Sequence, residues 1–175
     1  MRIMAKVLAT ALSSFVVCLT MSPFGLARDT GKDKPPDRFV DRGACPFECC
    51  TYRQWTTSDA VHLLDRPSGR HVVGSLRKGE PVQGLTGEVI STPVAVKADR
   101  EIPETPIKAN DTFYVLHYDG EGLWKVWFHG KTTFVDESNI KVPPRAEWWV
   151  KVKKTDGVIG WTLSDKHFLH QDACE

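Results

Sequence analysis

The chain has 175 residues, of which 41% are hydrophobic and 26% charged, and its formal net charge is +1. This near-neutral balance excludes a general electrostatic attraction to nucleic acid or to anionic membranes. The length fits one compact domain or two very small ones. We therefore expect no nucleic-acid partner.

Residues 1–27 predict a cleavable secretory signal peptide. Arg2 and Lys6 give a positive start, Val7 to Met21 form the apolar core, and Ala27 is a small residue before a charged segment. The core is shorter than the about 20 residues of a membrane span, so a retained anchor is the weaker interpretation. Cleavage removes two of the 23 basic residues and none of the 22 acidic ones, which leaves a net charge of −1. We expect a periplasmic or secreted protein without stable membrane insertion.

Residues 28–43 predict a flexible leader, because they are charged and interrupted by Pro and Gly. The domain is expected to occupy residues 44–175.

Four cysteines remain after cleavage: Cys45, Cys49, Cys50 and Cys174. An even number in an exported chain predicts two disulfides, with three possible pairings. A bond between the neighbours Cys49 and Cys50 is the least favourable pairing. We expect one of the first three cysteines to bond to Cys174 and the other two to bond locally. A metal site formed by Cys174 with His167 and His170 is the weaker alternative, and we expect no cofactor.

Short segments rich in aromatic and β-branched residues follow one another from residue 60 onward. Turn residues such as His129-Gly130 and Asp156-Gly157 separate several of them, and the Pro-containing segment 99–111 predicts a loop. No segment after the signal keeps a helical apolar period for three turns. The pattern predicts an all-β protein, either a small barrel or a sandwich, with strands at Ala60–Leu64, His71–Leu76, Pro81–Val89, Thr92–Ala98, Phe113–Tyr118, Trp124–Phe128, Thr132–Val135 and Trp148–Val152.

Two segments resemble the bacterial SH3 (SH3b) domain family. Trp148 to Thr162, WWVKVKKTDGVIGWT, is similar to the family's last hairpin, and Val61 to Leu85 is similar to its opening, including a G-x-L-x-x-G-E turn at Gly74 to Glu80. The resemblance covers about half of the chain after cleavage. It implies a small SH3-like barrel that recognises a cell-wall glycopeptide or a protein partner.

A large β-rich insertion, at about residues 88–147, departs from the plain SH3b pattern. It contains the segments FYVLHY and WKVWF, so it either extends the barrel or forms a second, partial one. The segment Ala44 to Trp55 also lies outside the plain domain.

The sequence contains none of the common catalytic motifs for serine hydrolases, zinc proteases or nucleotide-binding enzymes. A Cys/His hydrolase is the nearest alternative, with His117 or His129 as the base, but a free thiolate is disfavoured beside three other cysteines outside the cytoplasm. Asp119, Glu121 and Asp136 adjoin turns, where solvated carboxylates are ordinary. We therefore expect a protein that is not an enzyme.

Six Trp and three Tyr exceed what a small barrel can bury. Because neighbours on a strand point to opposite faces, one of Trp148 and Trp149 is expected to face outward, and Trp124 and Trp127 should also face oppositely. We predict Tyr118, Trp127 and Trp148 as an exposed platform for a sugar ring or a peptide. The sequence thus favours an exported, non-enzymatic binding module for a cell-wall glycopeptide or an envelope protein. The alternative is a structural or assembly module with no specific small ligand, in which these aromatics are additional core.

Overall fold

A computed structural model describes residues 33–164 and 166–174, which contain two antiparallel β-sheets and a single turn of 3₁₀ helix at Glu137–Asn139. The predicted signal peptide at residues 1–27 lies outside the described residues. No helix in the described ranges has the length and apolar character of a membrane span. The prediction of an all-β, barrel-like fold is confirmed.

The larger sheet has eight strands and is curled. Its strands are β1 (Phe39–Arg42), β2 (Gln54–Thr57), β3 (Val61–Leu64), β4 (Val72–Leu76), β5 (Pro81–Ser91), β10 (Ala146–Lys154), β11 (Ile159–Leu163) and β12 (Phe168–Leu169). The strand order is β12-β2-β5-β10-β11-β3-β4, and β1 also pairs with β5. The long strand β5 therefore organises the sheet, with β10 along one edge and with β2 and β1 sharing the other.

The core of the larger sheet gathers around the fully buried Trp55. Its indole N–H donates to the carbonyl of Thr51 at 3.0 Å, so the ring is buried with its polar atom satisfied. Gly84 of β5 lies under the ring, where an added Cβ would come within 2.8 Å of it. The remaining buried members of this core are Leu63, Leu76, Val82, Val150, Val152 and Phe168.

Most of the segment predicted as an insertion forms a second sheet with a core of its own. Four strands follow each other in sequence and in space: β6 (Val94–Lys97), β7 (Thr112–Gly120), β8 (Leu123–Phe128) and β9 (Lys131–Asp136). A two-residue turn joins β8 to β9, and both of its residues, His129 and Gly130, have positive φ, as a type I′ turn requires. The loop 98–111 closes the core with Ile102 and Ile107.

The leader is more ordered than we expected at its end. Phe39–Arg42 were predicted as part of a flexible segment, but they form β1 and pair with Glu88 to Ser91 of β5. Phe39 and Asp41 are two residues apart and lie on the same face of β1, and both contact the second sheet. Charge and proline content predicted flexibility here, whereas these two contacts fix the strand.

The four cysteines among the described residues form two disulfides, Cys45–Cys50 and Cys49–Cys174. The predicted scheme is confirmed: one of the first three cysteines bonds to Cys174, and the other two bond locally. Cys49 and Cys174 are 125 residues apart in the sequence. The isolated bridge between Cys50 and Asp172 places the C-terminal segment beside the same region.

Candidate functional site

Trp148, predicted on the exposed platform, faces the core of the larger sheet. Its ring packs edge-on against Phe47 at 5.5 Å and Trp55 at 6.4 Å between ring centroids. Its neighbour Trp149 points to the opposite face, as alternation requires, but is only 7% exposed. The two rings therefore point to opposite faces, as predicted, but neither of them is exposed.

The side chains around Trp148 leave no room above Gly87. A Cβ on this glycine would lie 2.3 Å from the hydroxyl of Tyr52 and 2.5 Å from Nε1 of Trp148. The Tyr52 hydroxyl donates to the carbonyl of Ala44. Burial raises the pKa of Tyr52 to about 12, against a smaller opposing effect of the Trp148 indole. Tyr52 and Trp148 therefore act as packing side chains in this region.

Tyr118 and Trp127 lie on the second sheet, half-buried and on opposite faces. Tyr118 packs edge-on against Trp124 at 5.6 Å, and its hydroxyl accepts from the N–H of Gly122 at 3.0 Å. Trp127 packs against Phe39 at 6.3 Å. Trp124 contacts the core of the second sheet, so the predicted opposition of Trp124 and Trp127 is confirmed. Among the described residues, no ring contact joins any two of Tyr118, Trp127 and Trp148, and a shared platform is not formed.

A cluster of one buried and two partly buried polar side chains connects β1 to the second sheet. Oδ2 of Asp41 lies 2.8 Å from Nε2 of His117 and 2.5 Å from Nζ of Lys125. Nδ1 of His117 is 2.7 Å from the carbonyl of Tyr118. Both ring nitrogens of His117 therefore face oxygen atoms. The hydrogen bond from His117 is the main cause that lowers the pKa of Asp41, with Lys125 adding to it and burial opposing it.

The same cluster offers possible metal ligands in Asp41, His117 and Asp119, whose donor atoms lie within 4.8 Å of one another. The ammonium of Lys125 already lies 2.5 Å from Asp41 and 3.6 Å from Asp119. A metal ion would have to displace this ammonium, because both carboxylates face it. The cluster thus already holds a cationic side chain, and it attaches β1 to the second sheet.

The cysteines and histidines considered for a Cys/His hydrolase already have other partners. Cys45, Cys49 and Cys50 are all in disulfides. Nδ1 of His129 lies 2.7 Å from Oδ1 of Asp33, in an exposed pair at the tip of the β8–β9 hairpin. A thiolate at any of these cysteines would require a disulfide to be broken first.

Trp161 on β11 is partly exposed. Strand pairing places Leu64 on one side of it and Lys151 on the other. Directly paired residues share a face of the sheet, so one row of side chains crosses five strands on the face opposite the Trp55 core. We call this the Trp161 row, and it runs Val72, Leu64, Trp161, Lys151 and Thr86.

The Trp161 row joins apolar surface to positive charge. Nζ of Lys151 lies 5.8 Å from the centroid of the Trp161 ring, within reach of a cation–π contact. The next pair on the same face, Lys153 and Ile159, adds an exposed ammonium and an exposed aliphatic side chain. Neither lysine forms an ion pair with a carboxylate among the described residues. The surface can therefore stack a flat or cyclic apolar group and attract an anion beside it.

A second open feature is a cleft of about 670 Å³ beside β9, between that strand and the loop 100–105. Phe134 (43% exposed) and Leu123 (39% exposed) line it, together with polar side chains of the loop. One face of Phe134 carries the ammonium of Lys125 at 5.4 Å. β9 is the last strand of its sheet, so the cleft follows a strand edge that pairs with no other strand of the described chain.

Sequence reasoning missed the Trp161 row because each residue was considered on its own strand. The β10–β11 hairpin contained the information: counting outward from the Asp156-Gly157 turn pairs Lys153 with Ile159 and Lys151 with Trp161. The pairing of Trp161 with Leu64 joins segments distant in sequence, and no local pattern reports it.

The chain matches no protein-family model, no curated protein and no solved structure.

Proposed function

We propose that the protein is an exported, SH3b-like binding module that recognises an anionic cell-wall glycopeptide through the Trp161 row. One observation carries the proposal: a partly exposed Trp161 lies between an aliphatic side chain, Leu64, and an ammonium, Lys151, on one face of the sheet. A pyranose ring offers C–H groups that stack on an indole. The carboxylates of a peptide attached to that sugar would then reach Lys151 and Lys153.

Charge favours a glycopeptide over a neutral glycan. Lys151 and Lys153 are two residues apart on β10. Val150 and Val152, which adjoin them, point into the core, so both ammonium groups lie on the opposite face. The residues paired with them on β5, Thr86 and Gln83, are uncharged. The positive charge is therefore not cancelled along this part of the sheet.

The test is co-sedimentation with insoluble peptidoglycan, followed by titration of soluble fragments with tryptophan fluorescence as the readout. We expect the double substitution Lys151→Gln and Lys153→Gln to weaken binding about tenfold to a hundredfold, since each charge-assisted contact is worth about 1 kcal/mol or more. Lys141→Gln is the matched control, because Lys141 is an exposed lysine outside this face that pairs with Asp99. Retention that does not change in the double variant, or no retention of the wild type, would reject the proposal.

The competing function is a structural or assembly module, and the packing of Tyr118, Trp127 and Trp148 against other rings favours it. If the protein has that function, we expect it to co-purify stably with one envelope protein. The lysine substitutions should not change this co-purification.

A further inference from the structure

The outer edge of β9 presents unused main-chain groups. The two-residue turn makes Phe128 and Lys131 a hydrogen-bonded pair, so Lys131, Thr133 and Val135 bond to β8 and the intervening residues point their main chain away from the sheet. The bond from Glu137 N–H to the Gly122 carbonyl, at 2.8 Å, continues the same alternation. Thr132 and Phe134 thus offer both an N–H and a C=O at the edge, with no partner in the described ranges.

The side chains along this edge are complementary to themselves. Lys131 begins the strand and Glu137 follows it, and neither takes part in an ion pair with another described residue. Phe134 lies midway between them and is 43% exposed. An antiparallel copy related by a two-fold axis at Phe134 would place Lys131 opposite Glu137, with Phe134 opposite itself.

We propose that two copies of this chain associate through β9, in antiparallel register with the two-fold axis at Phe134. The two Phe134 residues exchange N–H···O=C bonds, and the N–H of each Asp136 donates to the carbonyl of Thr132 in the other copy. Lys131 of each copy faces Glu137 of the other. The two four-stranded sheets become one continuous sheet of both copies, and the interface is isologous.

Charge distinguishes this register from its neighbour. An axis at Thr133 would also join outward-facing groups, pairing Thr132 with Phe134, but it would place Lys131 opposite the apolar Val135. The register with its axis at Phe134 pairs opposite charges at both ends. The cleft of about 670 Å³ lies along this edge, between β9 and the loop 100–105.

A single strand pair buries little surface, so the dimer should be weak, with a dissociation constant on the order of 100 μM. Sedimentation equilibrium of the oxidised protein from about 10 μM to about 1 mM measures it. We expect Lys131→Glu and Glu137→Lys each to weaken association about tenfold or more, since each substitution replaces two attractive pairs by repulsive ones. The double variant with both substitutions should restore the wild-type constant.

A second measurement tests the register. Phe134→Cys should form a covalent dimer under mild oxidation, because the two introduced thiols lie directly opposite each other. Thr132→Cys is the control, since its counterpart sits four residues away along the partner strand, about 13 Å distant, and should not cross-link. A monomer at every concentration, or a charge-reversed double variant that stays as weak as the single variants, overturns the proposal. None of these readouts involves the Trp161 row, so the two proposals stand or fall separately.

Discussion

The carboxylate of Asp41 and the imidazole of His117 meet at 2.8 Å, and this bond joins the first strand to the inserted sheet. His117 is 1% exposed, and Lys125 completes the contact from β8. The hydrogen bond from His117 lowers the pKa of Asp41, so the carboxylate remains charged in the folded protein where an ordinary aspartate would begin to protonate. β1 is consequently held to the second sheet by charge as well as by the packing of Phe39 on Trp127.

Asp41→Asn should destabilise the protein by roughly 2 kcal/mol. The substitution leaves His117 and Lys125 facing a neutral amide, and a buried charge without its partner costs several kcal/mol, reduced here because Asp41 and Lys125 keep some solvent contact. Urea unfolding at pH 7 measures the loss. Asp99→Asn is the matched control, since its pair with Lys141 is exposed and little change is expected. Equal losses in both variants would contradict this role for Asp41.

The contribution of Asp41 should disappear in acid. Its pKa is lowered from the ordinary value of 3.8, so the unfolded chain takes up the proton first as pH falls. The stabilisation is complete above about pH 4 to 5 and is lost as pH falls through the folded-state pKa, below 3.8. The stability difference between wild type and Asp41→Asn should therefore be constant near neutral pH and should shrink below pH 4. Urea titrations at a series of pH values test this, and a difference that grows in acid would have the wrong sign.

Gly87→Ala should destabilise the larger sheet by roughly 2 to 3 kcal/mol, because its Cβ would overlap the Tyr52 hydroxyl and the Trp148 indole in a packed region. Gly43→Ala is the comparison. That glycine has a positive φ but no atom near the added Cβ, so only backbone strain of about 1 kcal/mol is expected. Thermal unfolding of both variants distinguishes steric overlap from strain, and a larger loss at Gly43 would refute the packing account.

The two disulfides should differ in their contribution to stability. By the loop-entropy relation, the Cys49–Cys174 bond, which closes 125 residues, is worth about 5 kcal/mol, and the Cys45–Cys50 bond, which closes 5, about 2 kcal/mol. Paired Cys→Ser variants, one for each bond, measure the two losses by chemical unfolding. A larger loss on removing Cys45–Cys50 would show that the local bond acts by something other than chain entropy.

Local chemistry was sufficient for the features that the sequence predicted. Alternation on β8 separated Trp124 from Trp127, and the segments rich in aromatic and β-branched residues marked the strands. The cysteine scheme followed from the strain of bonding Cys49 to Cys50.

Distant pairing explains what the sequence did not predict. β1 lies in a charged, proline-containing leader, and its order depends on His117 and Lys125, more than 70 residues away. The orientation of Trp148 depends on Trp55, which belongs to a segment outside the SH3b-like pattern. In both places a partner far along the chain decides the outcome, and single-strand periodicity carries no information about it.

The Cys49–Cys174 bond also has a mechanical consequence. A pull applied between Asp33 and Cys174 would pass along the leader to Cys49 and then directly across the sulfur bridge. Only the short strand β1 lies within that load path, while β2 to β12 are bypassed. Tension on the ends of the domain should therefore detach β1 and extend the chain by little more than the leader, and full extension would appear only after reduction of that bond.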